Sequence, residues 1–250
     1  MKKFSLLLIL ALASCKLSPD YAPERIEGKQ LTISDSIPPN ASISEFIEPY
    51  RENIEKEMNL VLSYAPVDLT KSEGELNTAI GNMMADAVME LGNPIFTKRT
   101  GKTIDIVLLN YGGIRSSIGK GEITTRTAYE VMPFENELVI AHLKGEDVRE
   151  MVRYLIDDGS AHPVAGIELE IGEDNTIKKM LIQGKPLNDE QLYFVATHDY
   201  LLQGGDNMTF FSNAQEVTPL NYKIRNILID YFRQYDTIAP VRDQRFIRSK

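Results

Sequence analysis

The sequence is poor in the residues that most often build reactive centres. It has one cysteine and three histidines in 250 residues. The single cysteine, Cys15, excludes an internal disulfide and any cysteine-rich metal site. The histidines, His142, His162 and His198, are scattered, and a dinuclear metal centre needs several imidazole and carboxylate ligands together. No Asp-x-His or Gly-Asn-His-Glu segment occurs anywhere in the chain. Positive charge is also short: 27 Lys and Arg stand against 36 Asp and Glu, a formal net charge of -9. That balance disfavours general binding to a nucleic-acid backbone and leaves room only for a local basic pocket. What remains is ordinary for a folded domain, with 43% hydrophobic and 25% charged residues, enough for one substantial domain or two small ones.

Lys2 and Lys3 precede an apolar run from Phe4 to Ala13. A positive segment followed by a short apolar one predicts a secretory signal, too short to span a bilayer as a stable helix. Leu12-Ala13-Ser14-Cys15 resembles a bacterial lipoprotein box. The resemblance implies a signal peptide over residues 1–14, cleavage before Cys15, lipidation of that residue, and a membrane-anchored place on the periplasmic or surface face of the envelope. Acyl chains anchor at roughly 0.8 kcal/mol per buried CH₂.

Residues 15–40 carry Pro19, Pro23, Pro38 and Pro39 among polar residues and read as a tether, with a short strand expected at Gln30–Ser34. Residues 41–250 form the domain. Ser42-Ile43-Ser44-Glu45 fits a capping box for a helix reaching about Asn59, with Ile43, Phe46, Ile47, Ile54 and Met58 inward; Pro49 offers an alternative start. A second helix is expected from Thr78 to about Leu91, stopped by Gly92-Asn93-Pro94. The run Ile104–Leu109, apolar but for Asp105, predicts a strand buried on both faces. Further strands are expected at Leu138–Leu143, Gly166–Ile171, Ile177–Ile182 and Tyr193–Thr197. Helices are expected from Gly145 to about Ile156 and from Tyr222 to Tyr235. Strands and helices mix, and some neighbouring strands have only turn-length connections. The fold class is α+β, a mixed sheet packed with helices.

Three segments combine turn glycines with polar or aromatic tips. Asn110-Tyr111-Gly112-Gly113-Ile114-Arg115 follows the first buried run; its glycines admit close backbone approach, and Asn110 and Arg115 supply directional donors. Pro133-Phe134-Glu135-Asn136 sets an aromatic ring beside an amide, able to stack on a planar ligand and bond its edge. In Tyr200-Leu201-Leu202-Gln203-Gly204-Gly205-Asp206 a ring precedes a double-glycine turn ending in a carboxylate. Taken singly, each reads as a turn or a core plug.

In this order, the three segments resemble the C-terminal domain of the 5'-nucleotidase / UDP-sugar hydrolase family. That family carries Asn-Gly-Gly-Gly-Ile-Arg-like, Pro-Phe-x-Asn-like and Phe-Leu-x-x-Gly-Gly-Asp segments. Gly81-Asn82-Met83-Met84-Ala85-Asp86 and Gly121-Glu122-Ile123-Thr124 add to the likeness, which covers about Leu60 to Phe246. It implies a site that holds the nucleoside part of a nucleotide, made by Asn110, Gly112, Gly113, Arg115, Phe134, Asn136, Tyr200, Gly204, Gly205 and Asp206. Phe134 and Tyr200 would sandwich the base, Asp206 would accept from ribose hydroxyls, Asn110 and Arg115 would meet polar groups of the substrate, and Asn136 the base edge. The sequence departs from the pattern at Tyr111, where the family has glycine, and at Tyr200, where it has phenylalanine. Ser72-Glu73-Gly74-Glu75 stands where the family usually has a substrate-holding arginine. His198, beside the third segment, is a further candidate for ligand contact.

In complete members of the family a dinuclear metallophosphatase domain precedes this one. About 60 residues precede the likeness here, so no catalytic residue, metal ligand or cofactor is expected in this chain. Divalent metal ions are expected only in a separate metallophosphatase partner. Two readings follow: a nucleoside-binding component of a split 5'-nucleotidase, or an envelope lipoprotein that binds nucleosides or nucleotides without catalysis. A relic without a ligand is a third. The partners expected are a nucleoside or nucleotide, the metallophosphatase and a membrane, and no nucleic acid.

Overall fold

The computed structural model describes residues 25–249. The expected signal peptide, Cys15 and the start of the tether lie outside the described residues. The chain divides into two units, Met1–Glu48 and Pro49–Lys250. In the first, residues 25–40 form coil and a turn. The strand expected at Gln30–Ser34 is not formed; its apolar side chains, Leu31 and Ile33, are exposed, so pairing there would bury no apolar face. Helix α1 (Ala41–Met58) starts at Asn40, whose Oδ1 accepts from the Ser42 and Ile43 N–H groups at 3.1 and 3.3 Å. This cap replaces the expected Ser42–Glu45 box. The helix carries Pro49 in its interior, and none of its residues is buried, contrary to the inward apolar face expected.

The second unit continues with β1 (Val61–Ala65), α2 (Ala79–Thr100), β2 (Ile106–Leu108), β3 (Gly121–Thr124), α3 (Thr125–Val131), β4 (Glu137–Lys144) and α4 (Gly145–Asp158). Then follow β5 (Val164–Ala165), β6 (Ile167–Ile171), β7 (Ile177–Ile182), β8 (Lys185–Pro186), β9 (Leu192–His198), α5 (Asp199–Leu202), β10 (Val217–Lys223), α6 (Ile224–Gln234) and β11 (Phe246–Arg248). A central sheet has the order β10-β4-β9-β2-β5, a second has β11-β6-β7-β8, and β1 pairs with β3. Within the central sheet β2 runs parallel to β9 and antiparallel to β5, while β4 is antiparallel to β9 and β10. The sheet is mixed, as an α+β fold requires. Pro219 sits in β10, the edge strand, where a missing N–H breaks no interior ladder.

The inner strands β4, β9 and β2 of the central sheet are buried on both faces, which explains the apolar run Ile106–Leu109 at β2. Val107, Ile140 and Ala196 join one core with Ile80, Met84 and Val88 of α2 and Ile227, Leu228 and Phe232 of α6. Ile106, Leu108, Ala141 and Val195 join the other with Val148, Val152 and Leu155 of α4 and with Leu169, Ile171 and Phe246 of the second sheet.

Helix α2 opens at Thr78, whose Oγ1 accepts from the Gly81 N–H at 3.1 Å. It does not stop at Gly92-Asn93-Pro94 but runs on to Thr100. Gly92 is there for packing: a Cβ would meet Leu138 Cδ2 at 2.8 Å. Asn93 turns its Oδ1 to the Ile104 N–H at 2.8 Å. The helix ends at Gly101, in the left-handed region at φ 71°, with its N–H on the Thr97 carbonyl.

The start of α2 is also joined to the end of the chain. Asn77 Nδ2 donates to the carbonyls of Asp243 and Phe246 at 3.2 and 2.8 Å, and Asn82 Nδ2 to that of Val241 at 3.0 Å. Arg245 reaches Asp86 and the Val164 carbonyl, each at 2.8 Å.

Candidate functional site

The topology of three adjacent strands gathers the three glycine-and-aromatic segments. β2 and β9 are parallel neighbours, so the segments following them, 110–115 and 198–206, leave the same edge of the sheet. β4 is antiparallel to β9, with Leu138 opposite His198, so the segment entering β4, 133–136, arrives at that edge too. Loops at the carboxyl ends of strands are a common place for ligands in sheets of this kind.

The first loop makes a single 3₁₀ turn over Tyr111–Gly113. A Cβ on Gly113 would lie 2.7 Å from Asn110 Oδ1, so a larger residue would push the amide out of place. The Tyr111 N–H donates to His162 Nδ1 at 3.1 Å, and His162 Nε2 donates to Asp158 Oδ2 at 2.9 Å. Burial holds the His162 pKa below its usual value against the pull of Asp158. His162 is thus a buried strut under this loop. Lys71 Nζ donates to the Ile114 carbonyl at 3.0 Å and stands 4.4 Å from the Tyr111 ring centroid. A cation therefore meets the loop from just before the Ser72–Glu75 segment. Arg115 donates to the Gly112 carbonyl at 3.0 Å, and its guanidinium lies 5.8 Å from the Phe134 ring centroid.

The second loop is clamped by Arg225 of α6, a residue that sequence reasoning missed. Its buried guanidinium donates to the carbonyls of Pro133 and Phe134, both at 3.2 Å. It also pairs with Glu135, as does Lys223, and lies 4.1 Å from the Tyr129 ring centroid. Hydrogen bonds from Arg225 first, then Lys223, pull the Glu135 pKa down to about 2.

The third loop is built from backbone conformations that few residues adopt. Gly204 sits at φ 86°, and Asp206 and Asn207 follow in the left-handed region at 52° and 60°, where side chains other than glycine are strained. Tyr200 lies across Gly205, where a Cβ would come within 2.4 Å of the ring. Three groups hold Asp206. Tyr200 Oη donates to Oδ1 at 2.9 Å, Asn110 Nδ2 to Oδ2 at 2.6 Å, and Tyr154 Oη to the backbone carbonyl at 2.7 Å.

Together the loops enclose a cavity of about 280 Å³ lined by Asn110, Gly112, Gly113, Arg115, Phe134, Asn136, Tyr200 and Asp206. Eight of the ten positions anticipated from sequence therefore meet at one place. Gly204 and Gly205 shape the turn beneath it rather than line it. Both rings keep accessible surface, Phe134 at 39% and Tyr200 at 47%. His198 does not reach the cavity. It is fully buried behind it, with Nε2 3.1 Å from Asn110 Oδ1 and Nδ1 3.4 Å from Asn136 Nδ2. Burial drives its pKa down to about 4, although Asp199 and Asp206 pull the other way. His142 packs edge-on between Phe96 and Phe194, away from the cavity lining.

Two accessible rings, an amide, a carboxylate and a guanidinium around one cavity suit a planar ligand that carries hydroxyl groups and negative charge. Among the described residues no three His, Cys, Asp or Glu side chains converge to hold a metal ion.

Comparison with known proteins bears on the family and the fold. The chain is 28% identical over 209 residues to cell wall protein Lmo0130 of Listeria monocytogenes, covering 74% of this chain and 26% of that protein. It is 25% identical over 211 residues to the 5'-nucleotidase of Vibrio vulnificus, covering 79% and 36%. It shares its fold with the crystal structure of a 5'-nucleotidase precursor from Thermus thermophilus, at a TM-score of 0.68 and 24% identity, covering 82% and 42%. The chain thus spans less than half the length of each. Residues 61–213 match the model of the 5'-nucleotidase C-terminal domain, and the chain belongs to that family.

Proposed function

We propose that this chain is the nucleoside-holding component of a split 5'-nucleotidase. It positions a nucleotide for phosphate-ester hydrolysis by a separate metallophosphatase chain. The observation that carries the reading is the convergence of Phe134, Tyr200, Asn110 and Asp206 on one cavity. A base stacked on an aromatic ring gains on the order of 1–3 kcal/mol whatever its identity. A carboxylate has about four acceptor sites. The bonds from Tyr200 and Asn110 use one on each Asp206 oxygen, leaving each oxygen free to accept from one hydroxyl of a ribose diol. Arg115 offers the charge for the phosphate side. Lipidation at Cys15 and an envelope location, periplasmic or surface, complete the reading.

Calorimetric titration of the purified protein with adenosine, AMP and UDP-glucose tests it. Binding is expected, and Phe134→Ala and Tyr200→Ala should each weaken it about 5- to 150-fold. Unchanged affinity in both variants would sink the sandwich. Turnover is expected only after a metallophosphatase chain is added. Binding without turnover in every such mixture would favour the second reading, a non-catalytic nucleoside-binding lipoprotein. Mass spectrometry of the membrane-extracted protein should show acyl chains on Cys15 that Cys15→Ser lacks.

A further inference from the structure

Behind the cavity, four side chains form one hydrogen-bonded line from Asn136 through His198 and Asn110 to Asp206. Its direction follows from proton inventory alone. An ionised carboxylate only accepts, so Asn110 must turn its amide N–H toward Asp206 and its carbonyl toward His198. That carbonyl needs a donor, so His198 carries its proton on Nε2. The buried ring is neutral at pH 7 because desolvation holds its pKa near 4. Its Nδ1 therefore bears a lone pair, which only the N–H side of Asn136 can meet. Reversing Asn136 would set two acceptors against each other 3.4 Å apart.

From this line, and resting on the nucleoside reading of the cavity, we infer that His198 is a positioning residue. Its tautomer fixes Asn136 with the carbonyl oxygen turned away from the ring, toward the cavity that Asn136 lines, so that the pocket selects bases whose edge carries an N–H donor. The same tautomer keeps Asn110 donating to Asp206. One buried ring thus relays the polarity that Asp206 sets at the sugar end to Asn136 at the base end of the site.

Two measurements on the intact protein test this. Long-range ¹H–¹⁵N spectra at pH 7 should show His198 protonated on Nε2 and bare on Nδ1. The opposite tautomer or an imidazolium would overturn the proposal whatever binds. The second is titration with adenosine, with purine riboside, which lacks the exocyclic amine, and with 2′,3′-dideoxyadenosine. The wild-type protein should prefer adenosine to purine riboside by about tenfold, the worth of one hydrogen bond. In His198→Gln, whose amide can still donate to Asn110 but offers Asn136 no ring nitrogen, that preference should fall to within about twofold. Its preference for adenosine over the dideoxy analogue should persist. His198→Leu, if it folds, should lose both preferences. Both ratios falling together in His198→Gln would mean a merely structural role and overturn the proposal. Wild-type protein that binds none of the three overturns the nucleoside reading and base selection with it. The tautomer result separates that failure from a wrong hydrogen-bond direction.

Discussion

The two aromatic loops of the pocket are held in opposite ways. The Phe134 loop has no backbone torsion in the left-handed region and is fastened by charge, with Lys223 and Arg225 Nη2 on Glu135 and Arg225 Nη1 on two carbonyls. The Tyr200 loop has little charge behind it. Its shape comes from Gly204, from the strained pair Asp206 and Asn207, and from neutral donors on one carboxylate. One ring is bolted on from a helix that arrives late in the sequence, and the other is seated by its own turn. Strain is retained where surrounding contacts over-determine it, and the Tyr200 loop has such contacts in Asn110, Tyr154 and His198.

Acid should separate the two loops most strongly. The His198 pKa is about 4 in the folded protein and about 6.5 in the unfolded chain. Between these values the unfolded chain binds more protons, so stability is full above pH 6.5 and falls as the pH drops toward 4. The loss is about 3 kcal/mol, read by urea unfolding at stepped pH. Burial lowers the pKa of His142 and His162 too, so they add in the same direction. His198→Leu should flatten much of the slope, and an equally steep slope in that variant would mean the buried ring is not its main source. Glu135 keeps its charge down to about pH 2, so the Phe134 anchorage should survive the same acidification.

Arg225→Met attacks the other loop. It strips the Pro133 and Phe134 carbonyls of their donor and should cost about 2 kcal/mol in denaturant unfolding. Arg225→Lys should recover little, because one ammonium cannot reproduce the fork. Full recovery by lysine would show that charge alone suffices. Gly204→Ala should cost about 1 kcal/mol through its positive φ, read as a lower melting temperature. No change would mean the turn relaxes freely and stores no strain. The smallest effect belongs to Glu135→Gln. Its carboxylate is exposed although its partner Arg225 is buried, so solvent screening should leave only a small drop in melting temperature. A loss as large as that of Arg225→Met would shift the anchorage from the carbonyls to the carboxylate.

Much of this was legible in the chain. Ile104–Leu109 announces a strand buried on both faces because alternate residues enter two different cores. The pocket was legible only through the resemblance that its three segments, taken in order, bear to the family; singly, each read as a turn or a core plug. What stayed hidden depends on distant partners. Arg225 lies 91 residues from Phe134, and nothing local marks it as a clamp. Gly92 reads as a helix stop until Leu138 is seen against it. His162 cannot be told from a solvated histidine until the Tyr111 N–H is on its ring. Strands of two or three residues, such as β5 and β11, have no pattern of their own and exist because a neighbouring edge recruits them.

The amides at the start of α2 meet their acceptors 159 to 169 residues later in the chain. A polypeptide emerging from the ribosome in order can form β1 and α2 early. It cannot satisfy Asn77 and Asn82 with these partners until residues 241–246 have been made. Closure of the domain therefore waits for these residues, and until then the nascent chain stays short of its closed state. Folding and biosynthesis are coupled here by the direction in which the message is read.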